Sequence, residues 1–254
     1  MPLKSVLILC LITFGFSTQA QVTRLKSGVA DQLRPLDTTQ HKMLIEIWSD
    51  IMCPFCYIGK RKFEAALAQF ENKEDVHITW KSYQLSPDMI TDPRKNINQF
   101  LAEHKGISVE EAKRMNEYVT GMAAQVGLTY NFDKTIVANS FNAHRFAHFA
   151  KVHGKQDAAE EKLFSAYFNE GKNLDDYSVL IELGKEIGLD PIALKVALES
   201  GAYTEDVRTD IREAEQLGLR GVPFFVFDRK YRVSGAQDSK VFLQTLEKAY
   251  QERL

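Results

Sequence analysis

Apolar positions change period along the chain, and the changes divide it. Met43 to Trp48 alternates as a strand does, and Phe63, Ala66, Leu67 and Phe70 then recur at helical spacing. The pattern predicts a strand over 43–48 and a helix over 53–70. Val76 to Leu85 alternates again and is rich in β-branched and aromatic residues, which predicts a second strand. Two parallel strands around a helix form a right-handed βαβ unit. From Ser86 to about Gly201 helical spacing dominates. Ser108 and Glu111 read as a capping box for a helix that stops at Gly127. Asn139-Ser140 opens a helix through Val152. Leu163, Phe164, Tyr167 and Phe168 form one apolar stripe, and Leu180, Leu183 and Ile187 another. Asp190-Pro191 places a cap before a first-turn proline. Val207, Ile211, Ala214 and Leu217 line a further helix that ends at Gly218. Gly221 to Phe227 reads as a strand opened by Pro223, Tyr231–Val233 as its return, and Asp238 as the cap of a last helix. The order is therefore βαβ, then helices, then αββα. Residues 42–85 and 203–254 carry the strands, and 86–202 form an inserted helical subdomain.

The two ends of the pattern differ in kind. Lys4, a dozen mostly apolar residues and the small-residue exit Ser17-Thr18-Gln19-Ala20 describe a secretory signal peptide over 1–20. Cleavage near Ala20 would export the chain, to a periplasm in a bacterium; an uncleaved signal would leave it membrane-anchored. Residues 21–41 are polar and weakly patterned, and read as a flexible lead-in. No stretch of the mature chain is long and apolar enough to span a membrane.

Composition adds exclusions. Hydrophobic residues make up 44% of 254, enough for a sizeable core. Lys and Arg total 32 against 34 Asp and Glu, so no basic excess points to nucleic acid. Three cysteines occur, and loss of the leader would remove Cys10 and leave Cys53 and Cys56 alone. Exported chains meet an oxidising compartment, where a lone dithiol pair is a disulfide system.

The chemistry sits in Cys53-Pro54-Phe55-Cys56, where the first strand gives way to the first helix. The first turn of a helix has unpaired N–H groups and a partial positive charge. A Cys53 thiolate there is stabilised, which predicts a lowered pKa and a reactive sulfur. Pro54 suits the first turn because its missing N–H has no partner to lose. Cys56, one turn on, can attack a mixed disulfide at Cys53 and release the bound partner. Three plainer readings compete: inert core cysteines, a structural bridge closing a very small loop, and half of a zinc site. Zinc needs two more ligands, and the only His pair at helical spacing, His144 and His148, lies far along the chain. No metal or organic cofactor is expected beyond the Cys53–Cys56 disulfide itself.

Cys53 to Arg61, Asn139-Ser140-Phe141-Asn142-Ala143-His144-Arg145, and Gly221-Val222-Pro223-Phe224-Phe225-Val226 with Val233 to Gln237 together carry a resemblance. With the element order, they resemble the thioredoxin fold with the large all-helical insertion of the DsbA family, in its FrnE-like branch. The resemblance covers roughly residues 43 to 250. It implies an α/β thioredoxin-fold domain over 42–85 and 203–254. It implies Cys53 as nucleophile, Cys56 as resolving thiol, and Pro223 as a cis proline beside them. In this fold the proline exposes the backbone of Val222 to an extended client chain, by strand addition. One departure stands out: the slot that carries a buried acid in many thioredoxin-fold enzymes is Ile47 here. Asp50 is the nearest acid, and both proton handling and loop capping fit it. Pro54 and Phe55 replace the dipeptide of strongly oxidising relatives, which implies an intermediate potential. His144 and Arg145 either face the dithiol and shape substrate access, or cap a helix and bond between subdomains.

The resemblance thus implies an exported thiol–disulfide oxidoreductase, a dithiol oxidase or disulfide isomerase. Its partners would be protein or peptide thiols and disulfides, an unidentified redox partner, and glutathione in one reading. A glutathione-dependent isomerase or transferase of the kappa-class or hydroxychromene-carboxylate type is the rival enzyme; a holding chaperone is the rival without chemistry. Relatives of the isomerase type commonly use serine where Cys53 stands, which favours the dithiol reading.

Overall fold

The computed structural model describes residues 22–25 and 42–253. The leader expected over 1–20, with its cleavage point, lies outside the described residues. So does most of the lead-in over 21–41. Its described portion is corrected: Thr23–Arg24 form an edge strand, β1, rather than a flexible segment. The pairing explains this, since Thr23 and Arg24 lie antiparallel to Arg232 and Tyr231 and Leu25 is buried.

The central sheet runs β1-β7-β6-β2-β3. Here β2 is Met43–Ser49, β3 Val76–Ser82, β6 Phe224–Phe227 and β7 Tyr231–Ser234. Strands β2 and β3 are parallel, as a helical crossover requires, while β2–β6 and β6–β7 are antiparallel. The crossover is α1, Pro54–Gln69. Alternation sorts the side chains of β6 by face. Phe225 and Phe227 join Phe63 of α1 and Phe242 of α9 (Ser239–Gln251) in one core. Phe224 and Val226 join Trp48, Ala214 and Leu217 on the other face, under α8 (Thr204–Gln216). The sheet is buried on both sides, which is why its strands read as nearly unbroken apolar runs.

Between β3 and α8 the chain forms α2 (Ile97–Lys105), α3 (Val109–Ala124), α4 (Phe141–Val152), α5 (Gln156–Phe168), α6 (Tyr177–Glu186) and α7 (Pro191–Glu199). Ser108 caps α3 through Glu111 N–H, and Asp190 caps α7 ahead of Pro191. The pattern did not disclose a two-stranded ribbon, β4 (Asp92–Asn96) with β5 (Ile136–Val137). β4 is Asp-Pro-Arg-Lys-Asn, with no apolar alternation to betray it.

The largest apolar cluster belongs to these helices, and it includes Cys53, Cys56, Tyr57 and Ile58. The start of α1 is therefore shared between the sheet and the helical layer. Among the described residues no helix is long and apolar enough to cross a membrane.

Candidate active site

β2 ends in Ser49, and the chain turns through Asp50 to Met52 before Pro54 starts α1. The turn is held by Cys53 N–H donating to Asp50 O at 2.9 Å. Cys53 is the N-cap residue, and its side chain makes no capping bond. Its Sγ instead donates to the carbonyl oxygen of Val222 at 3.5 Å. The Val222–Pro223 peptide bond is cis. Pro223 packs on α1 at Gly59, where a Cβ would come within 2.9 Å of Pro223 Cγ. Tyr130 donates to Pro54 O at 2.6 Å and ties the helical layer to the first turn of α1.

Both cysteines are free thiols. Burial raises the pKa of Cys56 well above its ordinary value, and the hydrogen bond and charge of Cys53 raise it further. The main-chain N–H of Asp50 pulls the other way, as does the Ser49 hydroxyl, which stands by the sulfur without a well-formed hydrogen bond. Cys56 thus holds its proton and needs help to lose it.

The dithiol is covered. Cys53 is 1% exposed and Cys56 is fully buried. Half-buried Met52, Phe55 and Val222 pack against the same cluster, because the helical layer closes over the start of α1. Next to them opens an apolar cleft of about 170 Å³, walled by Met52, Pro54, Phe55, Leu85, Met89 and Met115.

Asp50 is wholly buried, and its carboxylate is taken up by backbone and imidazole. Oδ2 accepts from Leu85 N–H at 2.7 Å and Oδ1 from Met52 N–H at 3.3 Å. His144 Nε2 approaches Oδ1 to 3.5 Å. Burial alone would lower the His144 pKa; the bond and charge of Asp50, with the charge of Glu160, raise it above the ordinary value. Ile47 lies in the core on the sheet's α1 face.

The structure brings Cys53, Pro54, Phe55, Cys56, Val222 and Pro223 to one place, with Asp50 and His144 behind them. It sends Arg145 elsewhere. Arg145 follows His144 on α4, so it faces a different side. Its guanidinium donates to Ala197 O, Leu198 O and Ala202 O, all at 2.7–3.0 Å, and to Asn142 and Tyr177. It fastens α7 to α4 and has no part at the dithiol. His148 turns to Asp210, at 3.0 Å, so the two histidines point to separate carboxylates and not to the cysteines. Sequence reasoning missed Tyr130 and Glu160. Nothing marks Glu160 in Glu160-Glu161 as the inward member until α5 is docked.

Comparison with known proteins agrees with this geometry. An uncharacterised protein of Bacillus subtilis, YwbO, is 29% identical over 207 residues, covering 78% of this chain and 92% of its own. A probable DsbA oxidoreductase from Streptomyces coelicolor superposes with a TM-score of 0.78 at 38% identity, covering 84% of this chain and 92% of that one. The cytosolic disulfide reductase DsbM from Pseudomonas aeruginosa, with GSH, shares the fold at a TM-score of 0.55 and 18% identity, over 83% of this chain and 100% of its own. Residues 44–247 match the model of the DSBA-like thioredoxin domain, and with its dithiol set at the start of α1 beside Pro223 the chain belongs to that family.

Proposed function

We propose that this protein exchanges disulfides with protein thiols through a mixed disulfide at Cys53. The carrying observation is the contact of Cys53 Sγ with Val222 O, 3.5 Å away, next to Pro223. A client chain laid along the Val222 backbone brings its sulfur to the outer cysteine and not to the inner one. In client oxidation, a client thiolate attacks Cys53 and the Cys53–Cys56 bond breaks. The electron pair goes to Cys56, which takes a proton. A second client thiolate then attacks the client sulfur on Cys53, leaving a client disulfide and a reduced enzyme. Isomerisation uses the same steps from the reduced side. The direction follows the difference in potential between client, enzyme and compartment. The apolar cleft beside Cys53 supports unfolded or extended clients, since exposed apolar surface of that kind marks binding. Because Cys53 is 1% exposed, its sulfur must be uncovered as the client enters.

Glutathione fits this reading as the small thiol that exchanges with the enzyme. Both thiols stand at the site, which favours disulfide exchange over a glutathione-dependent isomerase. A holding chaperone needs neither cysteine. The test is a redox titration of the protein against glutathione, with trapping in Cys56→Ser. A stable adduct at Cys53 with an unfolded client that carries a disulfide is the expected result, as the Cys53 thiolate takes one client sulfur and the other leaves as thiolate. Absence of any adduct at Cys53, or full activity in Cys53→Ser, would overturn the reading.

A further inference from the structure

The outer cysteine is the N-cap residue of α1, and while it holds a proton its sulfur donates to Val222 O. As a thiolate it has nothing to donate, and that carbonyl repels it. A capping side chain accepts from the second or third N–H of its helix. Pro54, at the first position, has no N–H to offer. Cys56 N–H, at the third, turns back to Cys53 O at 3.0 Å. Phe55 N–H, at the second, is therefore the donor left for the thiolate. It belongs to the same peptide unit as Pro54 O, and Tyr130 donates to that oxygen at 2.6 Å. A donor on the carbonyl draws charge through the planar, conjugated unit and makes its N–H a stronger donor in turn.

We propose that Tyr130 is a positioning residue for the outer thiol: through the Pro54–Phe55 peptide it fixes and strengthens the N–H that receives the Cys53 thiolate. This deepens the function proposed above and rests on it. Tyr130 touches no reacting atom and takes up no proton. The exchange itself is unaltered: the Cys53 thiolate attacks a client sulfur, the client S–S bond breaks, and the other client sulfur leaves as thiolate. Tyr130 sets how readily Cys53 becomes thiolate. It also sets how far the dithiol is favoured over the enzyme disulfide, since a stabilised thiolate favours the reduced form.

The surroundings suit such a role. Tyr130 is 5% exposed, and its ring is clamped. It stacks on Phe168 at 4.6 Å and on Tyr57 at 6.2 Å, with Phe132 edge-on at 5.5 Å. The next residue fixes the chain, as Asn131 N–H donates to Phe168 O at 2.7 Å. Burial, then the charges of Cys53 and Cys56, raise the Tyr130 pKa. The hydroxyl thus keeps its proton and stays a donor whatever the state of the sulfurs. Tyr130 lies between α3 and β5, so the helical layer reaches the outer thiol through one neutral hydrogen bond.

The test is Tyr130→Phe, which keeps the ring and its stacking and removes only the O–H. In the reduced protein the pH profile of Cys53 alkylation by iodoacetamide should move up by about half a unit. The equilibrium with glutathione should shift about 3-fold toward the enzyme disulfide. A tyrosine that only packs would cost stability and leave both readings where they are. Replacing Tyr130 with 3-fluorotyrosine gives a stronger donor in nearly the same space, so both readings should move the opposite way. That replacement decides the matter if Tyr130→Phe does not fold. Readings that stay put in Tyr130→Phe, or that fail to move the opposite way with 3-fluorotyrosine, overturn the inference; the function stands if wild type is still trapped at Cys53. A wild type that forms no adduct at Cys53 overturns the function, and the inference with it.

Discussion

Gly59 lets helix α1 lie directly on Pro223, with room for no Cβ between them. The nearest atom to such a Cβ would be Pro223 Cγ at 2.9 Å, with Phe225 Cζ at 3.5 Å behind it. The contact sets the distance between the helix that carries the cysteines and the backbone of Val222. Gly59→Ala must shift a ring held in the core, and should cost about 1–3 kcal/mol. Gly121, in α3, is the control: nothing stands within 4 Å of its added Cβ. Gly121→Ala should stabilise by up to about 1 kcal/mol through helix propensity alone. Urea midpoints of the two variants should therefore move in opposite directions.

A second relationship predicts acid sensitivity. Asp210 is buried against α4 and β3. Its carboxylate takes Lys81 Nζ at 2.9 Å, Ser82 N–H at 3.0 Å and His148 Nε2 at 3.0 Å. Burial would raise its pKa, but the His148 bond and the Lys81 charge prevail and hold it at about 2. A carboxyl depressed in the folded state stabilises above its unfolded pKa, and the gain is lost as pH falls through the folded value. Here about 2–3 kcal/mol should be present above pH ~4 and lost between there and pH ~2. Asp210→Asn should lower stability at pH 7 and lose less on going to pH 3. Chemical denaturation at the two pH values checks both.

Glu160 carries the opposite sign. Its carboxyl is raised, so the folded state holds its proton more tightly than the unfolded one. Its burial costs nothing below pH ~4.5 and up to about 3 kcal/mol once it is ionised above pH ~7. Glu160→Gln should therefore be more stable than wild type at pH 8, by thermal denaturation, with the difference gone at pH 4.

Arg145 is a bolt between helices. Its fork reaches three backbone carbonyls, and a lysine, with one point charge, cannot hold all of them. Arg145→Lys should lose about 2–3 kcal/mol in denaturant titration, since it leaves buried carbonyls unpaired. The rate at which Cys53 reacts with dithiobis(nitrobenzoate), per folded molecule, should not change.

Much of this was legible before the coordinates. β2, α1, β3 and the closing αββα follow from short-range periodicity, which needs only neighbours in the chain to be read. Caps such as Ser108, Asp190 and Asp238 satisfy N–H groups within three residues of themselves, so they too are visible locally. Cys-Pro-Phe-Cys at a strand-to-helix junction announces its own chemistry for the same reason. The ribbon β4–β5 was not legible, because its pairing joins segments with no alternation of their own.

Sequence by itself determined the elements and the place of the cysteine pair at a strand-to-helix junction. Tertiary structure decided which buried groups meet behind it and which are sent elsewhere. His144 and Arg145 are adjacent in the chain, yet one meets Asp50 and the other three carbonyls at the end of α7 and just beyond it. Neighbours on a helix face sides about 100° apart, so only the packing of α4 against both layers separates their work. Glu160 likewise is set apart from the acids beside it only once α5 is docked, which leaves it 3% exposed.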